Sequence, residues 1–297
     1  MDILKSCRIC PRECGIDRTM TPGFCNAGAN VKIARAALHY WEEPPISGTR
    51  GSGTVFFSGC NLKCIYCQNI SISREAFGKE ISVQRLGEIF LELQGLGAHN
   101  INLVSPTPYI PQICEAIDSV RAKIKIPFVY NTGGYEKLES LQSLKGYIDI
   151  FLTDIKYFSP ELSMKYSAAG DYFERALTAA REMVNMAGKP VFDEDGIMRS
   201  GVIIRHLVLP GCRKDSLALI DALAKDFDQS DFILSLMSQY TPNGRLSSFP
   251  ELDRKITGFE YDSVVDAALQ AGFDNAYMQD RSSAKKEYTP PFDLSGV

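Results

Sequence analysis

No stretch of the chain approaches the roughly 20 consecutive apolar residues needed to cross a bilayer, and its N-terminus, MDILKSCRICPREC, has no apolar core of signal-peptide length. No membrane partner is expected, and the chain is read as a soluble, cytoplasmic protein. Basic charge is missing as well: the formal net charge is -4, and no run of Lys and Arg is interleaved with aromatics. Phosphate backbones require such a footprint, so nucleic acid is not an expected partner. Histidine is scarce, with three residues in 297. Of these, His39 and His99 stand in no ligand motif and are read as surface or packing residues. No internal repeat points to a solenoid.

Cysteine, in contrast, is abundant. Nine are present, and reducing compartments keep thiols free, so structural disulfides are not their expected use. Seven fall within the first 67 residues in two groups, Cys7, Cys10, Cys14 and Cys25, then Cys60, Cys64 and Cys67. Such clusters point to metal or iron-sulfur ligation. Cys114 lies in a helical pattern and reads as a small buried residue, and Cys212 reads as a loop thiol.

Beyond the first group, short β-branched or aromatic runs alternate with helical patterns, the signature of βα units around a parallel sheet. Strands are expected at 54–58, 100–104, 127–131, 149–153, 202–209 and 232–238, with helices at 83–96, 110–123, 172–186, 216–227 and 260–271. The fold class is therefore α/β: six units form a partial (β/α)6 barrel, preceded by a small cysteine-rich metal-binding segment. The expected division is 1–49 for that segment, 50–280 for the barrel and 281–297 for a polar tail that wraps the surface or frays. An Asp-Gly turn in PVFDEDGIMRSG suggests a hairpin before the fifth strand.

Parallel βα folds place active sites at the C-terminal ends of their strands, where the loops converge. The first strand end reads SGCNLKCIYCQN, which puts Cys60, Cys64 and Cys67 there with spacing C-x3-C-x2-C. Structural zinc sites and ferredoxin-type 4Fe-4S clusters take four ligands, so three local thiolates leave one metal position open. The alternative is a closed site completed by Cys212.

The motif C-x3-C-x-aromatic-C, with Tyr66 as the aromatic, resembles that of the radical S-adenosylmethionine (radical SAM) superfamily. GCNLKCIYCQN is similar to the form found in activating enzymes of pyruvate formate-lyase and other glycyl-radical enzymes, and the likeness extends over about residues 50–275. The resemblance implies a 4Fe-4S cluster on Cys60, Cys64 and Cys67, with S-adenosylmethionine chelating the fourth iron. One-electron transfer to the sulfonium would then release methionine and a 5'-deoxyadenosyl radical that abstracts hydrogen. The cofactors carry the hard chemistry while the protein orients them and excludes water. A one-electron donor of flavodoxin or ferredoxin type is the implied partner.

Tyr66 is expected beside the adenine or in the core. The family's GGE loop after the second strand is absent, and Ser105 and Thr107 stand in its place as acceptors for the SAM amino group. Asn131 and Thr132 replace the family's Asp-Thr after the third strand, which weakens any inference of a bound monovalent cation. Asp154 and Lys156 match the family's Asp-x-Lys, and alternate residues on a strand share a face. They are expected near the SAM ribose and carboxylate, or as a strand-end ion pair. Arg205 is favoured over His206 to reach the interior, and Gln239 is expected to contact SAM.

Cys7, Cys10, Cys14 and Cys25, spaced C-x2-C-x3-C-x10-C, can close a four-thiolate site for zinc or for an auxiliary iron-sulfur cluster. The leading expectation is an activase-like oxidoreductase that acts on a glycyl-radical enzyme or another peptide. Two alternatives stand beside it: radical chemistry on a small molecule, and a non-catalytic iron-sulfur protein for electron transfer.

Overall fold

The computed structural model describes residues 2–244, 246–279 and 289–297, without the side chain of residue 2. In chain order its elements are α1 (Asp2–Lys5), β1 (Val31–His39), α2 (Pro44–Ser47), β2 (Ser52–Phe57), α3 (Ile70–Ser73), β3 (Lys79–Ile81), α4 (Val83–Gly95), β4 (Ile101–Val104), α5 (Ile110–Val120), β5 (Phe128–Thr132) and α6 (Leu138–Gln142). There follow β6 (Ile150–Asp154), α7 (Pro160–Ser167), α8 (Tyr172–Ala187), β7 (Val191–Phe192), β8 (Met198–Leu207), α9 (Arg213–Asp226), β9 (Ile233–Met237), α10 (Gly258–Gln270) and β10 (Tyr277–Met278). Among the described residues no helix is long and apolar enough to cross a membrane.

The strands form one sheet of order β10-β9-β8-β6-β5-β4-β2-β1-β3, with β7 paired to β8 off this path. From β2 to β10 the main path is parallel, and β1 and β3 complete it in antiparallel fashion. All six expected strands are present within a few residues. The fifth begins earlier than expected, at Met198, because its N-terminal end forms the hairpin with β7 across the Asp195-Gly196 turn.

β1 was not foreseen. Its sequence, VKIARAALH, does place buried Val31 and Ile33 at alternate positions, but it follows directly on the cysteine-rich stretch and was absorbed into it. Beyond β3, the C-terminal residues take over its edge: Leu294 N–H donates to Ala34 O and Ala36 N–H to Ser295 O. Residues 281–288 of the expected tail lie outside the described residues.

Two faces of the sheet are buried for different reasons. Amphipathic helices α4, α5, α8, α9 and α10 cover one face with Leu86, Phe90, Ile113, Met183 and Leu219. Their starts are fixed locally: Ser82 caps α4 through Arg85 N–H, and Thr257 and Glu260 form a reciprocal capping box on α10. The opposite face is filled from within the chain. After β1 the segment YWEEPPIS turns back across it, and Ile46 of α2, fully buried, packs with Val129, Ile150, Leu152 and Ile203. Burial of one such side chain stabilises the fold by about 1.5–3 kcal/mol. This plug closes the N-terminal half of that face and leaves the strand C-termini open.

Candidate functional site

The first βα loop carries the cysteine triplet away from β2. Gly59 adopts φ +96, and a Cβ there would sit 2.6 Å from the carbonyl oxygen of Cys25, so only glycine permits the approach. Cys60 N–H in turn donates to that same carbonyl at 3.1 Å. The two cysteine groups are thereby joined through backbone.

All nine cysteines are free thiols. Cys64 and Cys67 line a cavity of about 230 Å³ at the strand C-termini. Cys64 Sγ accepts from Ser167 Oγ at 3.0 Å, Cys67 Sγ from Ser73 Oγ at 3.4 Å, and Cys60 Sγ from Leu62 N–H at 3.4 Å. Burial first, then the neighbouring Cys64, pushes the Cys60 thiol up to about 12, and the same two causes raise Cys67. Uncomplexed, Cys60 and Cys67 keep their protons, and a bound cation is what would release them. No group of three His, Cys, Asp or Glu side chains among the described residues is gathered for a single metal ion. A cubane cluster sets a wider spacing, since each thiolate takes its own iron, and soft thiolates on a loop suit it.

Opposite the thiols stands a charged wall. Arg205 of β8 donates to Asp154 Oδ1 at 2.8 Å, Asn131 Oδ1 at 2.6 Å and Glu42 Oε2 at 3.2 Å, and Lys156 is ion-paired with Asp154. Glu42 Oε1 also accepts from Asn102 and Asn131 at 3.1 and 3.2 Å. Burial pushes the Asp154 carboxyl up, but Arg205 and Lys156 outweigh it and hold it below the usual range. Burial dominates at Glu42 and Glu43, which sit above that range. Tyr66 lines the cavity too, and its oxygen accepts from Tyr157 OH at 2.7 Å.

The structure therefore brings Cys64, Tyr66, Cys67, Asn131, Asp154, Lys156, Arg205 and Gln239 around one cavity. Cys60 is not among the residues that line it, and three other expected contacts are elsewhere. Thr132 follows Asn131 on β5 and so faces the other side of the sheet, where its hydroxyl bonds Glu136. Thr107 donates to the same carboxylate at 2.6 Å from the turn after β4. Ser105 holds a left-handed backbone, φ +58, and does not line the cavity.

His206, behind Arg205, lies between Ile155 O and Ser216 Oγ. His39 and His99 are both buried; His39 packs edge-on to Phe56 at the cavity rim, and His99 bonds Arg50. Sequence reasoning missed Glu42, Glu43 and Trp41, which reach the strand ends only because the plug folds back. It also missed Glu136, whose carboxyl burial raises to about 7 against the bonds from Thr107, Thr132 and Tyr130. A hollow of about 680 Å³ at the opposite strand ends, lined by Arg121, Lys125 and Asp149, carries no cysteine.

Cys7, Cys10, Cys14 and Cys25 all line a second, enclosed space beside Asn61 and Thr107. A Cβ on Gly23 would lie 3.4 Å from Cys14 Sγ and 3.7 Å from Cys25 Sγ, so glycine leaves room at these sulfurs. Burial pushes Cys10 up to about 12 and raises Cys25. Arg12 secures the segment by donating to Asn61 O at 2.8 Å and to Ser167 O at 2.9 Å. Cys212 lies apart, at the N-terminal end of α9 without a side-chain cap, and Cys114 sits in α5.

Comparison with known proteins gives a family. The model described as Radical SAM superfamily matches residues 54–211. An uncharacterized protein of Methanocaldococcus jannaschii is 29% identical over 287 residues, covering 93% of this chain and 78% of its own. Streptococcus suis SuiB, solved bound to precursor peptide SuiA, shares the fold with a TM-score of 0.50 at 14% identity over 74% of this chain. SuiB has also been solved bound to S-adenosylmethionine. The chain spans about half the length of SuiB, 46% of it.

Proposed function

The chain belongs to the radical SAM superfamily, and on that premise we propose that it reductively cleaves S-adenosylmethionine in the cavity of Cys64 and Cys67 and directs the resulting radical at a peptide, a glycyl-radical enzyme being the leading candidate. The observation that supports this reading is the facing of free thiols, on a three-cysteine loop, with Lys156 and Arg205 across one cavity at the strand ends. A 4Fe-4S cluster held by Cys60, Cys64 and Cys67 would supply one electron to break the sulfonium C–S bond, releasing methionine and a 5'-deoxyadenosyl radical to abstract hydrogen.

The chain's own residues would bind and orient. Cys60, Cys64 and Cys67 hold the cluster. Lys156 and Arg205 face the SAM carboxylate, fixed in place by Asp154, while Glu42 supplies the acceptor for its ammonium that Thr107 does not. Tyr66, Asn131 and Gln239 border the nucleoside. The plug that ends in Ile46 closes the floor against water, and the parallel strands curl as a partial (β/α)6 barrel around it. Residues 1–49 contribute a second metal centre at Cys7, Cys10, Cys14 and Cys25, zinc or iron-sulfur, and a flavodoxin- or ferredoxin-type protein supplies electrons.

A peptide substrate is favoured because SuiB, which shares this fold over 46% of its length, has been solved bound to a precursor peptide. Anaerobic reconstitution with iron and sulfide, then SAM and a strong reductant, should yield 5'-deoxyadenosine. A reconstituted, reduced protein that forms none would refute the reading.

A further inference from the structure

Beside the cysteine-lined cavity lies a second chamber of about 300 Å³, framed by Tyr40, Glu43 and Tyr277 and sharing Trp41, Glu42, Arg205, Met237 and Gln239 with it. Glu43 borders only this chamber. The residue is buried, 8% exposed, and its Oε1 accepts from Ser235 Oγ at 3.0 Å. Oε2 has no hydrogen-bond partner, and Arg205 Nη1 is 4.0 Å away. A buried polar atom left without a partner is costly, and since Glu43 lines the chamber, a rotation of its carboxyl brings Oε2 to a group bound there.

The charges give the sign of that missing group. Three carboxylates, Asp154, Glu42 and Glu43, converge on two cations, Lys156 and Arg205, and Arg205 is shared among all three. Since Arg205 is nearer to Asp154 and Glu42, Glu43 is the carboxylate short of a counter-charge. The walls give its chemical class. Tyr40 and Trp41 are 51% and 53% exposed, and Tyr277, whose phenol is raised by burial and then by the Glu43 carboxylate, lines the same chamber. Aromatic side chains around a carboxylate suit an organic cation, whose charge the ring faces attract and whose methylenes they cover.

We propose that this chamber receives the organic cation of the substrate, an ammonium or guanidinium group, with Glu43 as its counter-ion and Tyr40, Trp41 and Tyr277 as its walls. A basic peptide side chain or a free amine seated there lies beside the cavity of Cys64 and Cys67. The word substrate rests on the radical SAM reading; the binding of the cation does not.

Trp41 is the sole tryptophan of the chain and borders both this chamber and the cysteine-lined cavity, so once SAM is saturating a further change in its emission reports on the chamber. The reconstituted full-length protein, saturated with SAM, is titrated by calorimetry and Trp41 emission with Nα-acetyl-lysine methylamide, Nα-acetyl-arginine methylamide, pentylamine and the uncharged norleucine analogue. The cationic probes should bind at least about tenfold more tightly than norleucine and perturb Trp41, as expected for a charge-assisted contact. Glu43→Gln should abolish that preference. Tyr40→Leu, on an exposed side chain, should weaken the cations several-fold and leave norleucine unchanged, which keeps the test sound if Glu43→Gln misfolds.

The relative affinity of the amino-acid amides and pentylamine assigns the cation to a peptide or to a free amine. Equal binding of lysine and norleucine probes overturns the proposal, as does cation binding that leaves Trp41 unperturbed. Loss of cation binding on adding SAM also overturns it, because the chamber would then belong to the cofactor. Cation preference without SAM cleavage would refute the enzyme reading alone, and cleavage without cation preference would refute the chamber alone.

Discussion

Replacing Arg205 with methionine removes the one cation that touches Asp154, Glu42 and Asn131 at once, and keeps most of the side-chain volume. Lys156 then remains alone against buried Asp154 and Glu43 and partly exposed Glu42. Removing one partner of a buried ion pair costs about 3–5 kcal/mol, because the other is left uncompensated. Against a typical total stability of about 5–15 kcal/mol, that loss is large.

Its pH dependence identifies the cause. Asp154 is held below the ordinary carboxylate range, so its contribution is present above its unfolded pKa and is lost as pH falls through the folded one. Glu42 and Glu43 are held above that range, so each destabilises the fold in full above its folded pKa, and that cost is lost as pH falls to its unfolded pKa. Without Arg205 all three shift upward. The deficit of Arg205→Met relative to the parent should be greatest near about pH 8 and shrink towards about pH 5 as the carboxyls protonate. Urea unfolding followed by circular dichroism at several pH values measures it. An equal deficit at every pH would refute the charge argument and leave only lost packing.

Ile46→Ala should cost about 2–5 kcal/mol in the same unfolding assay, as a large-to-small change in a fully buried site, and a loss below about 1 kcal/mol would mean that the plug does not seal that face. Gly59→Ala forces a Cβ towards Cys25 O at a left-handed backbone position and should lower iron content after reconstitution; unchanged iron would show that the loop can shift freely. Lys156→Ala should weaken SAM binding by about tenfold or more while leaving the cluster's absorption spectrum intact, as measured by equilibrium dialysis. Unaltered affinity would reduce Lys156 to a strand-end ion pair.

Much of this arrangement was legible because local pattern and topology agree. The parallel strands follow from short β-branched runs, and the rule that chemistry gathers at their C-termini directs attention to the loop of Cys60, Cys64 and Cys67. Arg205 rather than His206 reaches the cavity because β8 alternates, and the same alternation removes Thr132 once Asn131 faces inward. What was not legible depends on long-range folding. YWEEPPIS reads as a polar, proline-containing loop, and nothing in it signals that Ile46 will cross the sheet and carry Glu42 and Glu43 to Arg205. Glu136 is likewise an ordinary loop glutamate until Thr107 and Thr132 close on it from two strand ends.

The central claim is that three cysteines of one loop hold the centre at which SAM is cleaved. Single alanine variants of Cys60, Cys64 and Cys67, with Cys114→Ala and Cys212→Ala as controls, are reconstituted anaerobically and compared for 5'-deoxyadenosine formed after reduction in the presence of SAM. The account predicts formation by both controls and none by the three loop variants. Formation by any loop variant, or its loss in Cys212→Ala with the others active, would contradict it.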